Sequence, residues 1–370
     1  MEGDEMNITI IGAGNSGLAM AAHLTLSGNK VTLWNRTRKN IKGLLENPII
    51  HCRGVVQGDA SIHLVTSNLA KALKNAEIVF VTTPAFSHKQ LATQIALVLK
   101  HSPTIILSPG RTFGALEFKH EFERMNATVH PLIAETQTIL YTCRKITGNE
   151  VEIYALKNDI LLSTISGEEN QSIIQQLPAC LQDKFISADS MIETSIGNVG
   201  MIMHCAPLLL NTGWVESEAH SFYYYKDGIS PTIAHFIEKM DAERQLVAMV
   251  LGNPVESAKD WMKRTYKLKG ENLYEVIQNN DAYETISSPK SLLHRYITED
   301  IPTGLVPLES VGKELGLEMT HISLIIDLAC ALLEVDFRKE GRNLHDLIED
   351  QTINPSTMLQ FTMNPLKEDV

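Results

Sequence analysis

Apolar positions along the chain change their period once. Up to about residue 187, short β-branched runs alternate with segments of helical period, and beyond it only helical periods remain. Strands are predicted at 7–11, 30–34, 61–66, 77–85 and 104–107, with helices at 18–26, 69–75 and 87–100 between them. Such alternation implies βαβ units and a parallel sheet. Further strands at 128–133, 139–143, 152–156 and 160–163 are expected to extend it. After a boundary near 187–190 come helices at 193–213, 231–249, 288–300 and 320–333. Ser288 is the expected N-cap of the third of these and Pro289 its first residue, with Pro302 stopping it. Phe222 to Tyr225 open a polar-aromatic loop whose tyrosines could line a pocket or pack between helices, packing being the favoured reading. The expected fold class is α/β: a Rossmann-type doubly wound sheet with extra strands over 1–187, then an all-helical domain over 188–370.

The first strand runs straight into Gly12-Ala13-Gly14-Asn15-Ser16-Gly17 and then a helix. In a dinucleotide-binding turn Gly12 permits the tight bend, Gly14 lets the backbone approach a pyrophosphate, and Gly17 allows close helix–strand packing. The anion would sit on the unpaired N–H groups of the helix N-terminus. A carboxylate usually closes the second strand and accepts from the ribose 2′-hydroxyl. Here that position reads Asn35-Arg36-Thr37-Arg38-Lys39, neutral and basic, which favours NADP, with NAD as the alternative. Thr83-Pro84 ends the fourth strand and should face the nicotinamide, since ligands bind outside the carboxyl ends of such strands. Glu135-Thr136 follows a strand at the same edge. It could reach cofactor or substrate, or form an exposed turn.

The 193–213 segment carries one histidine. Glu193, Gly197, Gly200, His204, Leu208 and Asn211 share a stripe that is small or polar over most of its length, unlike a core-facing surface. Pro207 has no N–H for the carbonyl of Met203, so a bend is expected just after His204. Cys205 points about 100° away and is read as packing. Asp300 is expected at a helix C-terminus, where a carboxylate opposes the dipole and needs a compensating group. A histidine from another helix would serve, although sequence alone does not bring His204 and Asp300 together.

A length of 370 residues suggests two domains, and a net charge of −12 opposes binding to nucleic acid or anionic membranes. No apolar run reaches the roughly 18 residues of a membrane span, because Asp327 breaks the best one. The five cysteines lack paired spacing, so no metal site is expected and reduced thiols fit. An acidic N-terminus without a signal-like pattern makes cytoplasm the expected location. The polar tail 352–370 is either loosely ordered or covers a partner subunit, which leaves a homodimer open.

Several motifs together resemble the octopine/nopaline (opine) dehydrogenase family. They are Gly12-Ala13-Gly14-Asn15-Ser16-Gly17, Pro109-Gly110-Arg111 with Gly114-Ala115-Leu116-Glu117, and Glu135-Thr136 with Tyr141-Thr142-Cys143-Arg144. To these are added Asn198 with His204, Arg295-Tyr296 with Glu299-Asp300-Ile301-Pro302, and Gly341-Arg342. The resemblance implies a Rossmann domain, a helical domain, a substrate bound between them, and reduction of the imine formed from a 2-oxo acid and an amino acid. It implies His204 as the catalytic histidine, Asp300 as the carboxylate orienting it, and Arg295 as the grip on a substrate carboxylate, with Asn198 a weaker candidate. Phe113, where the family commonly has glycine, and Ile139, where it commonly has proline, depart from the pattern and bear on substrate identity. Two other functions stay open: a ketopantoate-reductase-like reductase of 2-oxo acids, and a non-catalytic NADP sensor.

Overall fold

A computed structural model describes residues 5–343. The chain divides into two compact units, one running through Ser195 and the other beginning at Ile196.

Twelve strands are described in the first unit: β1 (Asn7–Ile11), β2 (Lys30–Trp34), β3 (Ile49–Gly54), β4 (Gly58–Ser61), β5 (Leu64–Thr66), β6 (Ile78–Val81), β7 (Thr104–Leu107), β8 (Leu132–Thr136), β9 (Tyr141–Thr147), β10 (Glu150–Leu156), β11 (Ile160–Thr164) and β12 (Phe185–Ser187). Eight form one sheet in the order β12-β11-β8-β7-β6-β1-β2-β5. From β5 to β8 every pairing is parallel, and the order reverses between β1 and β6 as in a doubly wound nucleotide-binding sheet. All four residues of β6 are buried, as expected of a central parallel strand covered on both faces. β11 joins antiparallel to β8 and carries β12 beside it.

The extra strands do not all extend this sheet, contrary to the expectation from sequence. β9 and β10 instead combine with β3 and β4 in a separate four-stranded sheet, β4-β3-β10-β9. Its buried face, including Ile50, Cys52, Ala60, Tyr141, Val151 and Ile153, shares one core with the Asn15–Leu26 helix. That arrangement explains the helix composition. Leu18, Ala19, Met20, Ala21, Ala22 and Leu24 are all buried, and a helix apolar on nearly every side must be covered on nearly every side.

The second unit is helical, with one isolated β-bridge between Tyr223 and Ser287 among its described residues. Ser230 caps the Pro231–Val250 helix by accepting from the Ile233 N–H, and Pro231 stands where its missing N–H costs nothing. Arg244 on this helix is fully buried. It pairs with Asp241 at 2.8 Å and donates to the carbonyls of Ile196 and Glu256. A buried guanidinium needs that many partners, and in meeting them it fixes where the second unit begins.

Two helices differ from expectation. The 193–213 segment is not continuous: Met191–Ser195 belongs to the first unit, and a new helix, Gly200–Leu210, starts after a break. The 288–300 helix shrinks to Arg295–Thr298, because residues 290–294 bend and the His294 side chain caps the helix by accepting from the Tyr296 N–H. Asp300 then leads into a π-helical turn, Ile301–Leu305, and the Val306–Glu314 helix. It therefore stands at the favourable N-terminal end of a helical run rather than at a C-terminus. Among the described residues no helix is long and apolar enough to cross a membrane. The 352–370 tail lies outside the described residues.

Candidate active site

The glycine turn has the geometry its residues were assigned. Gly12 has φ +110°, a conformation that disfavours side chains. A Cβ on Gly17 would lie 1.8 Å from the Gly12 carbonyl oxygen, so helix and strand can pack this closely only without one. Gly14 is exposed, and a Cβ there would meet no protein atom within 4 Å. The space beside Gly14 is thus open to a ligand, while that beside Gly17 is closed by the fold. No side chain caps the helix at this end and no acid stands in its first turn. A pyrophosphate fits these observations.

Asn35 reaches the turn directly, accepting from the Ala13 N–H at 3.2 Å, while its amide nitrogen donates to the Thr37 carbonyl. A cleft of about 180 Å³ opens here, lined in part by Asn35, Arg36, Thr37, Thr83, Pro84 and Phe86, with no acid on its walls. Gln90 holds the Arg36 guanidinium at 3.0 Å. Arg38 lies apart, exposed on the 3₁₀ turn Arg38–Ile41 and outside the lining of this cleft. Asn15 and Ser16 turn toward the second sheet, Asn15 accepting from the Lys145 N–H and Ser16 bonding Cys143.

Glu135 and Thr136 are buried rather than presented to a ligand. The Glu135 carboxylate accepts from the Ala115 N–H and from the hydroxyls of Thr194 and Ser195. Ser195 in turn accepts from the N–H of Phe113, whose φ of +57° is one that glycine adopts more readily. Gly110 must be glycine because a Cβ would fall 2.1 Å from Glu135 Oε2. Glu135 therefore ties together the ends of β8, the Gly114–Met125 helix and the last turn of the first unit.

In the second unit the structure joins two residues 96 positions apart. His204 Nδ1 lies 2.6 Å from Asp300 Oδ2, a charge-assisted hydrogen bond. Asp300 is 1% exposed and the His204 side chain 19% exposed, so the carboxylate is inside and the ring reaches the surface of its unit. With Nδ1–H given to the carboxylate, Nε2 is the nitrogen left to exchange a proton.

The surrounding residues fix the imidazole. The Tyr296 ring stacks on it with centroids 3.9 Å apart and planes 12° from parallel. The Tyr224 hydroxyl donates to the His204 carbonyl, beside the helix-interior Pro207. Burial pushes that phenol well above its ordinary range, so it remains a donor. Cys205 is buried and its thiol bonds the Tyr296 carbonyl, a packing role. His294 meets Tyr296 edge-on at 4.5 Å, and burial, followed by Arg295 and His204, lowers its pKa. Tyr224, Tyr296 and His294 as neighbours of His204 were invisible to spacing, because each reaches it through tertiary packing.

Arg295 is about half exposed and pairs with buried Glu299 at 3.2 Å on the same short helix. Asn198 precedes the Gly200–Leu210 helix and accepts from the Gly200 N–H at 2.8 Å, consistent with its position off the His204 stripe. Gly341-Arg342 braces the π turn behind Asp300. The Arg342 N–H donates to the Pro302 carbonyl at 2.8 Å, and a Cβ on Gly341 would come equally near that oxygen.

Comparison with known proteins matches two segments of the chain to different family models. Residues 187–333 match the family described as NAD/NADP octopine/nopaline dehydrogenase, alpha-helical domain, and residues 8–117 match ketopantoate reductase. The chain is 35% identical to an opine dehydrogenase of Arthrobacter sp. strain 1C over 91% of its own length and 94% of the relative's. Its fold is shared with octopine dehydrogenase in complex with NADH and agmatine, at a TM-score of 0.77 and 19% identity, covering 92% of this chain and 93% of the other. It is also shared with NADP+-bound yersinopine dehydrogenase, at a TM-score of 0.71 and 15% identity, covering 96% and 97%.

Proposed function

Since this chain belongs to the octopine/nopaline (opine) dehydrogenase family, we propose that it joins a 2-oxo acid such as pyruvate to an amino acid. The reaction we assign condenses the two into an imine and reduces it. The Gly12–Gly17 turn and the cleft at Arg36 would hold a nicotinamide dinucleotide, which would supply the hydride that reduces the imine. The chain's own contribution is placement and proton transfer. His204 Nε2 takes a proton from the amino acid's ammonium, which frees the nitrogen lone pair to attack the oxo carbon. Attack leaves a positive nitrogen and an alkoxide; one nitrogen proton passes to the alkoxide to make a hydroxyl, and the imidazolium returns its proton to that hydroxyl, which leaves as water and gives the protonated imine. Asp300 keeps Nδ1 protonated and stabilises the imidazolium between the two transfers.

The observation that carries this reading is the 2.6 Å bond between His204 and a carboxylate only 1% exposed. Arg295 is assigned to a substrate carboxylate, which a planar guanidinium can take in a bidentate manner. NADPH is the assigned preference, supported by Arg36 at the cleft and by the missing acid after β2. The ketopantoate reductase match covers the nucleotide-binding half alone, whereas the Arthrobacter relative spans both halves.

The test is NADPH oxidation, followed at the nicotinamide absorbance, with pyruvate and a panel of amino acids. Turnover that needs both substrates is expected. Oxidation by the oxo acid alone would move the assignment to a simple reductase, and no turnover with any pair would favour a sensor.

A further inference from the structure

Lys145 lies on β9, in the second sheet of the first unit, and reaches the glycine turn of the main sheet. Its ammonium donates to the Ala13 carbonyl at 3.2 Å, and its backbone N–H donates to Asn15 Oδ1 at 3.0 Å. The side chain is half-buried, and burial lowers its pKa. Among the described residues it forms no ion pair with a carboxylate. A partly desolvated cation held by one neutral carbonyl is poorly compensated, and a nearby anion would correct this. The adjoining features suit an anion as well: Gly14 is open, the helix end is uncapped, and no acid stands in its first turn.

We propose that Lys145 binds the pyrophosphate of the dinucleotide, contributed from outside the strand–turn–helix unit that ordinarily holds it. The four-stranded sheet then has a second role besides covering the Asn15–Leu26 helix. It delivers a positive charge to a chain whose net charge is −12 and whose glycine turn contains no basic residue. Because the pyrophosphate is common to NADH and NADPH, Lys145 contributes to both equally, unlike Arg36 near the 2′ position.

This inference rests on reading the turn as a dinucleotide site, and the experiment separates the two. Dissociation constants for NADPH and NADH are measured by nucleotide fluorescence, without substrates, for wild type, Lys145→Gln and Lys145→Arg. Adenosine, which has no phosphate, is measured by competition. Lys145→Gln should weaken both dinucleotides by about tenfold, with Lys145→Arg close to wild type and adenosine unchanged. Unchanged dinucleotide affinity in Lys145→Gln overturns the proposal, as does a loss confined to NADPH, which would assign the lysine to the 2′-phosphate. Adenosine weakened as much as the dinucleotides would mean a distorted turn and overturns it too. A wild type that binds neither dinucleotide overturns the reading beneath it.

Discussion

The two units hold their candidate functional groups by different physics. In the first, the glycine turn is shaped by absent atoms: Gly12, Gly14 and Gly17 lie within six consecutive residues, and what matters is where a Cβ would collide. In the second, the candidate pair is held by present charges. Asp300 is buried against His204, Arg244 is buried against Asp241, and Glu309 gathers Arg338, Lys313 and Ser323. A site made from backbone shape depends on local sequence. One made from buried charge depends on partners far along the chain, and removing one member leaves the other unpaired in a poor solvent for it.

This contrast predicts a graded set of losses. Removing the proposed proton carrier is the most severe: His204→Ala should lower turnover by about 10³-fold while changing NADPH affinity less than about twofold. Steady-state rates and a fluorescence titration check it, and lost cofactor binding would make the histidine structural. Next are the glycines. Gly17→Ala should lower stability by about 2–3 kcal/mol, since its methyl meets backbone that cannot yield, whereas Gly14→Ala should leave the melting temperature unchanged and weaken NADPH. Equal melting temperatures for the two variants would erase the distinction drawn between these positions.

Acidification tests the charge side of the contrast. Burial alone would raise the Glu309 carboxyl, but hydrogen bonds from Arg338, Lys313 and Ser323 outweigh it and hold the pKa at about 2. A depressed carboxylate gives stability that is complete above its unfolded pKa and is lost as pH falls toward the folded one. Unfolding by denaturant should therefore show about 2 kcal/mol less stability at pH 3 than at pH 6 from this group, with Glu309→Gln flattening that part of the profile. The smallest expected effect is at the surface. Arg295→Ala should raise KM for the carboxylated substrates by about tenfold with little change in kcat, and an unchanged KM would place the carboxylate elsewhere.

How much was legible beforehand follows the same division. β1, β2, β7 and the Thr320–Leu333 helix could be bounded to the residue, because apolar runs between turn residues are a local property. β3 and β4 escaped notice: Ile49–Gly54 mixes Ile, His, Cys and Arg on a half-exposed strand, and its parallel partner β10 lies about a hundred residues away. The 288–300 region carried good capping signals at Ser288 and Pro289, but this stretch is drawn instead to residues 220–223, through the Ser288 N–H on the Phe222 carbonyl, the Tyr223–Ser287 bridge and the Lys290 ammonium on the His220 carbonyl, and His294 caps the shorter helix. Glu135 and Thr136 sit at the expected edge of the sheet yet face inward, since strand position alone does not say which end residues the neighbouring helices cover. His204 and Asp300 could be read from spacing only as separate residues; their meeting is tertiary, was implied beforehand by the family resemblance alone, and is seen in the 2.6 Å bond.

The π turn after Asp300 gives the acid a local buffer against changes in chain length. A π ring holds one residue more than an α ring, so deleting one residue within Ile301–Leu305 would let the wide turn relax to an ordinary α turn, with the chain on either side kept nearly in phase. The same deletion inside the Val306–Glu314 helix would find no such slack and would turn one side about 100° relative to the other. Tolerance to a single-codon deletion is therefore expected to be greatest at the wide turn and to vanish in the helix that follows it.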